Sequence, residues 1–311
     1  MKQEAGVGRR TVRTRRWAGL VPYGLLAPSL LVLAGVLGWP LWQLTLISLQ
    51  RYGLRELFQH RGRYVGLANY RTVLGDPFFW TVVARTVAFT TVCVAATMVA
   101  GTLIAVLLRR VGPRMRVLVQ SAVVFAWATP VLSAVSIFQW LFDYEFGVVN
   151  WLLVRLGAGG FAHHNWFDDP WQGWLVIVLL VVWGAVPFVA VTLHAGLSQV
   201  PGDLVDAARV DGAGPWQVFW KVTVPLLKPI LLILVTLSTI WDFRIFTQVW
   251  VMLGQRPSND YFLLGIYSFS TSFGVTRYGL GAAIAVVMVL LLVVLTSVYV
   301  RQLLRTVEET A

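Results

Sequence analysis

The chain alternates between long apolar runs and short polar segments. Apolar residues dominate six runs, at about 22–49, 82–108, 117–142, 173–197, 229–253 and 280–300. Each run reaches the length of roughly 20 residues that a helix needs to cross a bilayer. An unpaired backbone group in lipid costs several kcal/mol, so a spanning run must be helical. The pattern therefore predicts an all-α integral membrane protein with six transmembrane helices.

Composition agrees with a chain surrounded by lipid. Of the 311 residues, 58% are hydrophobic and 13% are charged, whereas a typical soluble domain is about 25% charged. The net charge of +11 could indicate a nucleic-acid partner. However, the charges are scattered between the apolar runs and form no basic stripe interleaved with aromatic residues, so that partner is set aside.

Few residues could support catalysis or hold a metal. Cys93, the single cysteine, lies inside an apolar run, where a small buried side chain is expected. His163 and His164 sit in a polar loop without neighbouring ligands. No phosphate-binding GxxxxGK[ST] motif occurs. We therefore expect no enzyme activity, no metal and no cofactor bound by this chain.

Basic residues predict the orientation and the organisation of the chain. Residues 1–21 form a basic N-terminal segment, 22–301 a six-helix domain, and 302–311 a short tail. The first apolar run resembles a signal peptide but is too long for one, so it is interpreted as an uncleaved span. Lysine and arginine are more numerous in segments on the side of the N-terminus, which predicts that both termini are cytoplasmic.

The polar segment at about 198–228 separates the fourth and fifth runs and predicts a helical hairpin. Its first helix is expected from Asp203 to Val210. Gly212 suits a left-handed helix end, and Pro215 suits the first turn of a second helix. Pro225 and Pro229 are expected to reset the chain at the entry to the fifth span.

The same segment resembles the EAA loop of ABC importer permeases. That loop has Glu-Ala-Ala, three residues, Gly, nine residues, then Ile-x-Leu-Pro. Here the matching positions are Asp206, Ala207, Ala208, Gly212 and Pro225. The sequence departs from the pattern with Asp for Glu and with Val222 and Val224 for Ile and Leu. The resemblance implies a coupling helix at 203–222 that docks into an ATPase subunit.

Other segments are similar to the sugar branch of that family, the maltose-type permeases. They are 65–71, 76–80, 141–150, 183–188 and 278–283, whereas 255–257 (Gln-Arg-Pro) departs from the usual Gly-Gly-Pro. The resemblance implies a type I ABC importer permease fold in a bacterial cell membrane. It also implies a second homologous permease, two ATPase subunits that use ATP and magnesium, and an extracellular sugar-binding (lipo)protein.

The fifth apolar run contains candidate sugar contacts. Ser238, Trp241, Asp242 and Ile245 have the spacing of one helix face. On it an indole can stack on a sugar ring and a carboxylate can accept hydroxyl hydrogen bonds. The resemblance implicates the same four positions and adds Gly184, Ala185 and Phe188 around Pro187. Arg244, off this face, is assigned to packing or to an ion pair, and the same structural reading stays open for Asp242.

These features predict a transmembrane permease subunit of an ATP-driven importer of a di- or oligosaccharide. Substrates of the GlcNAc-disaccharide and the alpha-glucoside kind both stay open. The alternative is a secondary sugar carrier driven by an ion gradient, which would need paired repeats and a coupling-ion site that the sequence lacks.

Overall fold

The computed structural model describes residues 21–59 and 61–310, so most of the basic segment predicted at 1–21 lies outside the described residues. The described chain is almost entirely helical. Its α-helices are α1 Val21–Leu33, α2 Trp39–Ser48, α3 Leu54–Gln59, α4 Ala68–Leu74, α5 Pro77–Arg110, α6 Pro113–Ala128, α7 Val131–Leu141, α8 Val148–Arg155, α9 Pro170–Ser198, α10 Gly202–Val210, α11 Pro215–Val218, α12 Val224–Phe243, α13 Thr247–Met252, α14 Leu264–Phe269 and α15 Tyr278–Thr310. Two short antiparallel strands, β1 Gln50–Arg51 and β2 Arg63–Tyr64, pair Gln50 with Tyr64.

Five helices of the described chain are long and apolar enough to cross a membrane. They cover Gly24–Ser48, Pro77–Arg110, Pro170–Ser198, Pro215–Phe243 and Tyr278–Arg305. Helices α6 and α7 pass the same test only as a pair. The prediction of an all-α membrane protein is confirmed, and the six predicted spans are present if that pair is counted as one.

The third predicted span, at about 117–142, consists of two helices and not of one continuous helix. Helices α6 and α7 meet at a bend of 100°. Thr129 is extended, with φ −68° and ψ 123°, and Pro130 follows with ψ 139°. A proline lacks a backbone donor and disfavours the helical conformation of the residue before it, so the helix breaks at this pair. By contrast, α9 continues through Pro187.

The fifth span also differs from its predicted bounds of 229–253. It begins at Pro215 and continues through Pro225 and Pro229, with a π-helical segment at Phe219–Thr223. In this segment each backbone amide donates to the carbonyl five residues earlier, which changes the hydrogen-bond register of the helix just before Pro225. The helix then ends at Phe243, where the amides of Arg244 and Ile245 bond to carbonyls only three residues back.

Close packing of α5 against α9 forms the centre of the domain. A Cβ added to Gly101 would lie 2.5 Å from Cγ1 of Val189, so the glycine permits the approach of the two helices. The main core cluster includes Cys93, Val135, Ile177 and Val249. The most apolar stretch of the first spanning helix, Gly24–Ser48, contains no buried residue.

Candidate functional site

A cleft opens where the break between α6 and α7 faces α9 and the end of α12. Its volume is about 240 Å³. The lining comes from three separated parts of the chain: Ala126, Trp127, Thr129, Val131 and Ala134; Leu180, Val181, Trp183, Gly184 and Ala185; and Trp241, Asp242, Ile245 and Gln248. We call it the hinge cleft, because the 129–130 break creates one of its walls.

Five of the seven residues predicted for the substrate path line this cleft. They are Gly184, Ala185, Trp241, Asp242 and Ile245. The predicted helix face is incomplete, because α12 ends at Phe243 and Ile245 reaches the cleft from beyond that end. A Cβ at Gly184 would meet nothing within 4 Å, so this wall is open.

The other two predicted residues lie behind the cleft. Ser238 is buried, one turn before Asp242 on α12. Phe188 packs edge-to-face on Trp241, with ring centroids 5.1 Å apart, and stacks on Trp127 at 6.4 Å. Both residues therefore support the wall rather than face the opening.

Asp242 is the most unusual polar group in the cleft. Its side chain is only 4% exposed, and Oδ2 has no hydrogen-bond partner among the described residues. Arg244 is exposed and forms no ion pair with it in the described part of the chain. Burial of an unpaired polar atom is costly, so such an atom calls for a partner from outside the chain.

Trp241 lies next to that carboxylate and is 44% exposed. A large aromatic side chain partly open to a cleft offers a flat apolar face. Trp241 and Asp242 thus line the hinge cleft together.

Sequence reasoning missed nine of the fourteen lining residues, and four of the nine carry an indole ring or a polar side chain: Trp127, Thr129, Trp183 and Gln248. Thr129 carried a signal, since it precedes a proline within an apolar run. Gln248 also carried one, as an amide side chain within the apolar run at 229–253. The two tryptophans could not be distinguished by type from the other tryptophans of the chain.

The polar segment forms a hairpin over residues 202–223, here called the polar hairpin. Gly212 adopts φ +85°. Its amide bonds to the carbonyl of Arg209 at 3.0 Å, and the amide of Ala213 bonds to that of Ala208 at 2.9 Å. These two bonds define a Schellman end to α10. The predicted left-handed turn at Gly212 and the predicted helix start at Pro215 are confirmed.

The residues of the predicted motif are presented outward on this hairpin. Asp206, Ala207 and Pro225 are exposed, and Ala208 is half-buried. Asp206 pairs with Arg209 at 3.2 Å on the surface, where such a pair contributes little stability. Val218 and Thr223 are buried and anchor the second arm. An anchored hairpin with an exposed first helix is suited to docking against another protein.

The segment 141–150 forms a structured turn at the other end of the domain. Asn150 is buried, donates to the carbonyls of Asp143 and His164, and accepts from Nε1 of Trp166 at 2.7 Å. A Cβ at Gly147 would lie 2.3 Å from the Asp143 carbonyl oxygen, so only glycine fits.

No three metal-ligating side chains come together within residues 21–59 and 61–310.

Comparison with solved structures defines the class of the fold. The chain superimposes on a chain of a bacterial ABC transporter involved in the import of the acidic polysaccharide alginate, with a TM-score of 0.77. The match covers 93% of this chain and 98% of that one at 16% sequence identity. At that identity the likeness shows the fold alone, which is that of an ABC importer permease.

Sequence comparison then identifies the family. Residues 97–308 match the family described as "binding-protein-dependent transport system inner membrane component". The chain is 40% identical to the diacetylchitobiose uptake system permease protein DasB of Streptomyces coelicolor over 302 residues, 97% of this chain and 92% of that protein. It is 32% identical to the trehalose/maltose transport system permease protein MalF of Thermococcus litoralis, over 76% of this chain and 79% of that protein.

The chain therefore belongs to the inner membrane components of binding-protein-dependent transport systems. It is a multi-pass ABC importer permease, and its relatives above are permeases of sugar uptake systems. The alternative of an ion-driven secondary carrier is not supported, since the family and the relatives above are permease components of transport systems that depend on a binding protein.

Proposed function

We propose that this permease forms half of the pathway for a di- or oligosaccharide, paired with a second, homologous permease. The observation that carries the proposal is the pairing of Trp241 and Asp242 in the hinge cleft: a half-open indole beside a buried carboxylate oxygen without a partner. The names of the relatives point to the same chemical class.

Each group contributes a different interaction with a sugar. The apolar face of a pyranose ring packs on the indole of Trp241, and a ring hydroxyl donates to the Asp242 carboxylate, which lines the cleft. Gly184 and Ala185 leave room for the ring on the opposite wall, while Phe188 and Ser238 hold Trp241 and Asp242 from behind. Thr129 and Gln248 add further hydroxyl and amide partners at the rim.

The polar hairpin transmits the movement of the ATPases to this cleft. Helix α10 docks through Asp206, Ala207 and Ala208 into an ATPase subunit, and Gly212 sets the turn that leads into α11. Since α11 continues without a break into α12, displacement of the hairpin moves Trp241 and Asp242 directly. Both termini lie on the cytoplasmic side in this arrangement. ATP and magnesium are used by the separate ATPases, and this chain binds no cofactor.

The test is uptake by vesicles that contain the purified complex. Labelled diacetylchitobiose, maltose and trehalose are offered with the binding protein, in the presence of ATP or of an ion gradient alone. Accumulation should require ATP and the ATPase subunits and should be selective for one of these sugars. Accumulation driven by the ion gradient alone would refute the proposal, and so would ATP-driven uptake of none of a wide range of saccharides.

A further inference from the structure

A cavity beside the polar hairpin is lined by three arginines and by no carboxylate. Its volume is about 300 Å³, and Arg109, Arg110 and Arg209 line it together with Thr223 and apolar residues. The side chains of Arg109 and Arg110 have no hydrogen-bond or ion-pair partner in the described part of the chain. Arg209 forms an ion pair with Asp206 on the protein surface. The arginine cavity therefore has an uncompensated positive charge suited to an anion.

An apolar groove of about 650 Å³ begins at the same place. Five residues line both spaces: Val106, Arg110, Leu197, Pro215 and Phe219. One side of the groove is α5 from Met98 to Arg110, and the other is formed by α11 and α12. Leu193 and Leu197 of α9 are buried and form its floor. Apart from Arg110, no charged residue lines the groove.

The dimensions of the groove correspond to one leaflet of a bilayer. The stretch of α5 from Met98 to Arg110 is about 18 Å long at 1.5 Å per residue. Half of the hydrocarbon core of a bilayer is about 15 Å thick. Trp216 and Trp220 are exposed at the arginine end of the groove, and their ring centroids lie 5.6 Å apart. Exposed aromatic side chains of this kind are enriched at the membrane–water interface.

We propose that an anionic phospholipid occupies both spaces, with its phosphate among Arg109, Arg110 and Arg209 and its acyl chains along α5. The occupant must be apolar over the length of one leaflet and anionic at a single end, and a phospholipid fulfils both conditions. Because α11 is the second arm of the polar hairpin, the lipid braces the hairpin against α5. This site is separate from the sugar path and adds a lipid requirement to the proposed transport function.

The experiment measures lipid retained by the assembled complex. The complex, with its second permease and ATPases, is reconstituted in equal amounts of phosphatidylglycerol and phosphatidylcholine, then extracted and weighed by native mass spectrometry. The variants are Arg109→Gln with Arg110→Gln, Leu103→Trp to fill the groove, and Arg114→Gln as the matched control. Arg114 is exposed nearby but lines neither space.

Retention of phosphatidylglycerol should fall about fivefold for each arginine removed. Leu103→Trp should lower retention of both lipids, and Arg114→Gln should change neither. Equal retention in the wild type and the double variant would overturn the proposal. An equal loss in Arg114→Gln would do the same, since it would indicate attraction to diffuse charge.

A second measurement distinguishes a lipid from a protein occupant. Leu103→Cys places a thiol in the groove, while Cys93 is buried. Reaction with a maleimide-bearing phosphatidylglycerol in the assembled complex is expected. In a parallel reaction, a bifunctional reagent with a maleimide at one end and a photoreactive group at the other replaces the lipid. Efficient crosslinking of the new thiol to the second permease, without labelling by the lipid, would show that a helix of that subunit fills the groove, and the proposal would fall. Sugar uptake is scored separately, so failure of the lipid site leaves the proposed transport function untouched.

Discussion

The polar hairpin and the hinge cleft are built in opposite ways. The hairpin is one contiguous segment, and its shape follows from Gly212 and Pro215 within it. The cleft collects residues from three separated parts of the chain around a helix break at Pro130. A local turn can be inferred from local chemistry, whereas a cleft exists only when distant helices have packed. A substitution in the hairpin should therefore impair transport by changing the backbone conformation of the whole turn. A substitution in the cleft should impair transport by removing the contacts of a single side chain.

The largest effect is expected from Gly212→Pro. Proline requires φ near −65°, and Gly212 has φ +85°, so the Schellman end cannot form and the hairpin loses its shape. Transport should be abolished while the protein remains inserted in the membrane. The measurement combines ATP-driven uptake with pull-down of the ATPase. Gly214→Pro is unsuitable as a control because Pro215 follows it, but Gly214→Ala has open space around its Cβ and should transport normally. Normal coupling in Gly212→Pro would show that the hairpin does not bind the ATPase.

Asp242→Ala comes second and tests the cleft. It removes an acceptor whose hydrogen bond to a sugar hydroxyl is worth about 1.5–3 kcal/mol, which corresponds to a roughly tenfold to hundredfold loss of transport. Assembly and basal ATP hydrolysis should persist, because Asp242 is far along the chain from the hairpin. Assembly is checked by gel filtration beside the uptake assay. A complex that fails to assemble would assign Asp242 to pairing with the second permease and not to the sugar.

Trp241→Ala should have a smaller effect, because Phe188 and Trp127 still provide aromatic surface nearby. We expect about a tenfold loss of uptake, in line with about 1.5 kcal/mol for an aromatic contact. Trp241→Phe should recover most of it. The control is Trp171→Ala, an exposed tryptophan that does not line the cleft. Equal losses for both alanine variants would mean that Trp241 serves general packing.

Asp206→Glu should have the smallest effect. It restores the residue usual in the EAA loop, retains the charge, and disturbs only a surface pair with Arg209. Exposed pairs contribute between about 0.2 and 1 kcal/mol, so uptake should stay within about fivefold of the wild type. Asp206→Lys reverses the charge and should reduce both ATPase binding and uptake. Identical behaviour of Glu and Lys at this position would show that the charge of Asp206 has no part in docking.

The sequence by itself determined the helical membrane class and the turn of the hairpin. Long apolar runs require helices because lipid offers no hydrogen bonds, and Gly212 with Pro215 specifies a turn through its own backbone preferences. The importer family was also recognisable, since the spacing from Asp206 to Pro225 is a contiguous pattern.

Only the tertiary structure decided where helices break and which residues meet. Pro187 and Pro229 lie within continuous helices, whereas Pro130 follows an extended Thr129 and lies at a bend of 100°. The presence of a proline within an apolar run therefore does not predict whether the helix breaks there. Packing determines whether the structure tolerates the carbonyl that loses its hydrogen bond and the altered direction of the helix axis. For the same reason Ile245 enters the cleft from outside α12, while Ser238 on the predicted face is buried behind it. Helical spacing describes one helix, but a cleft depends on the positions of its neighbours.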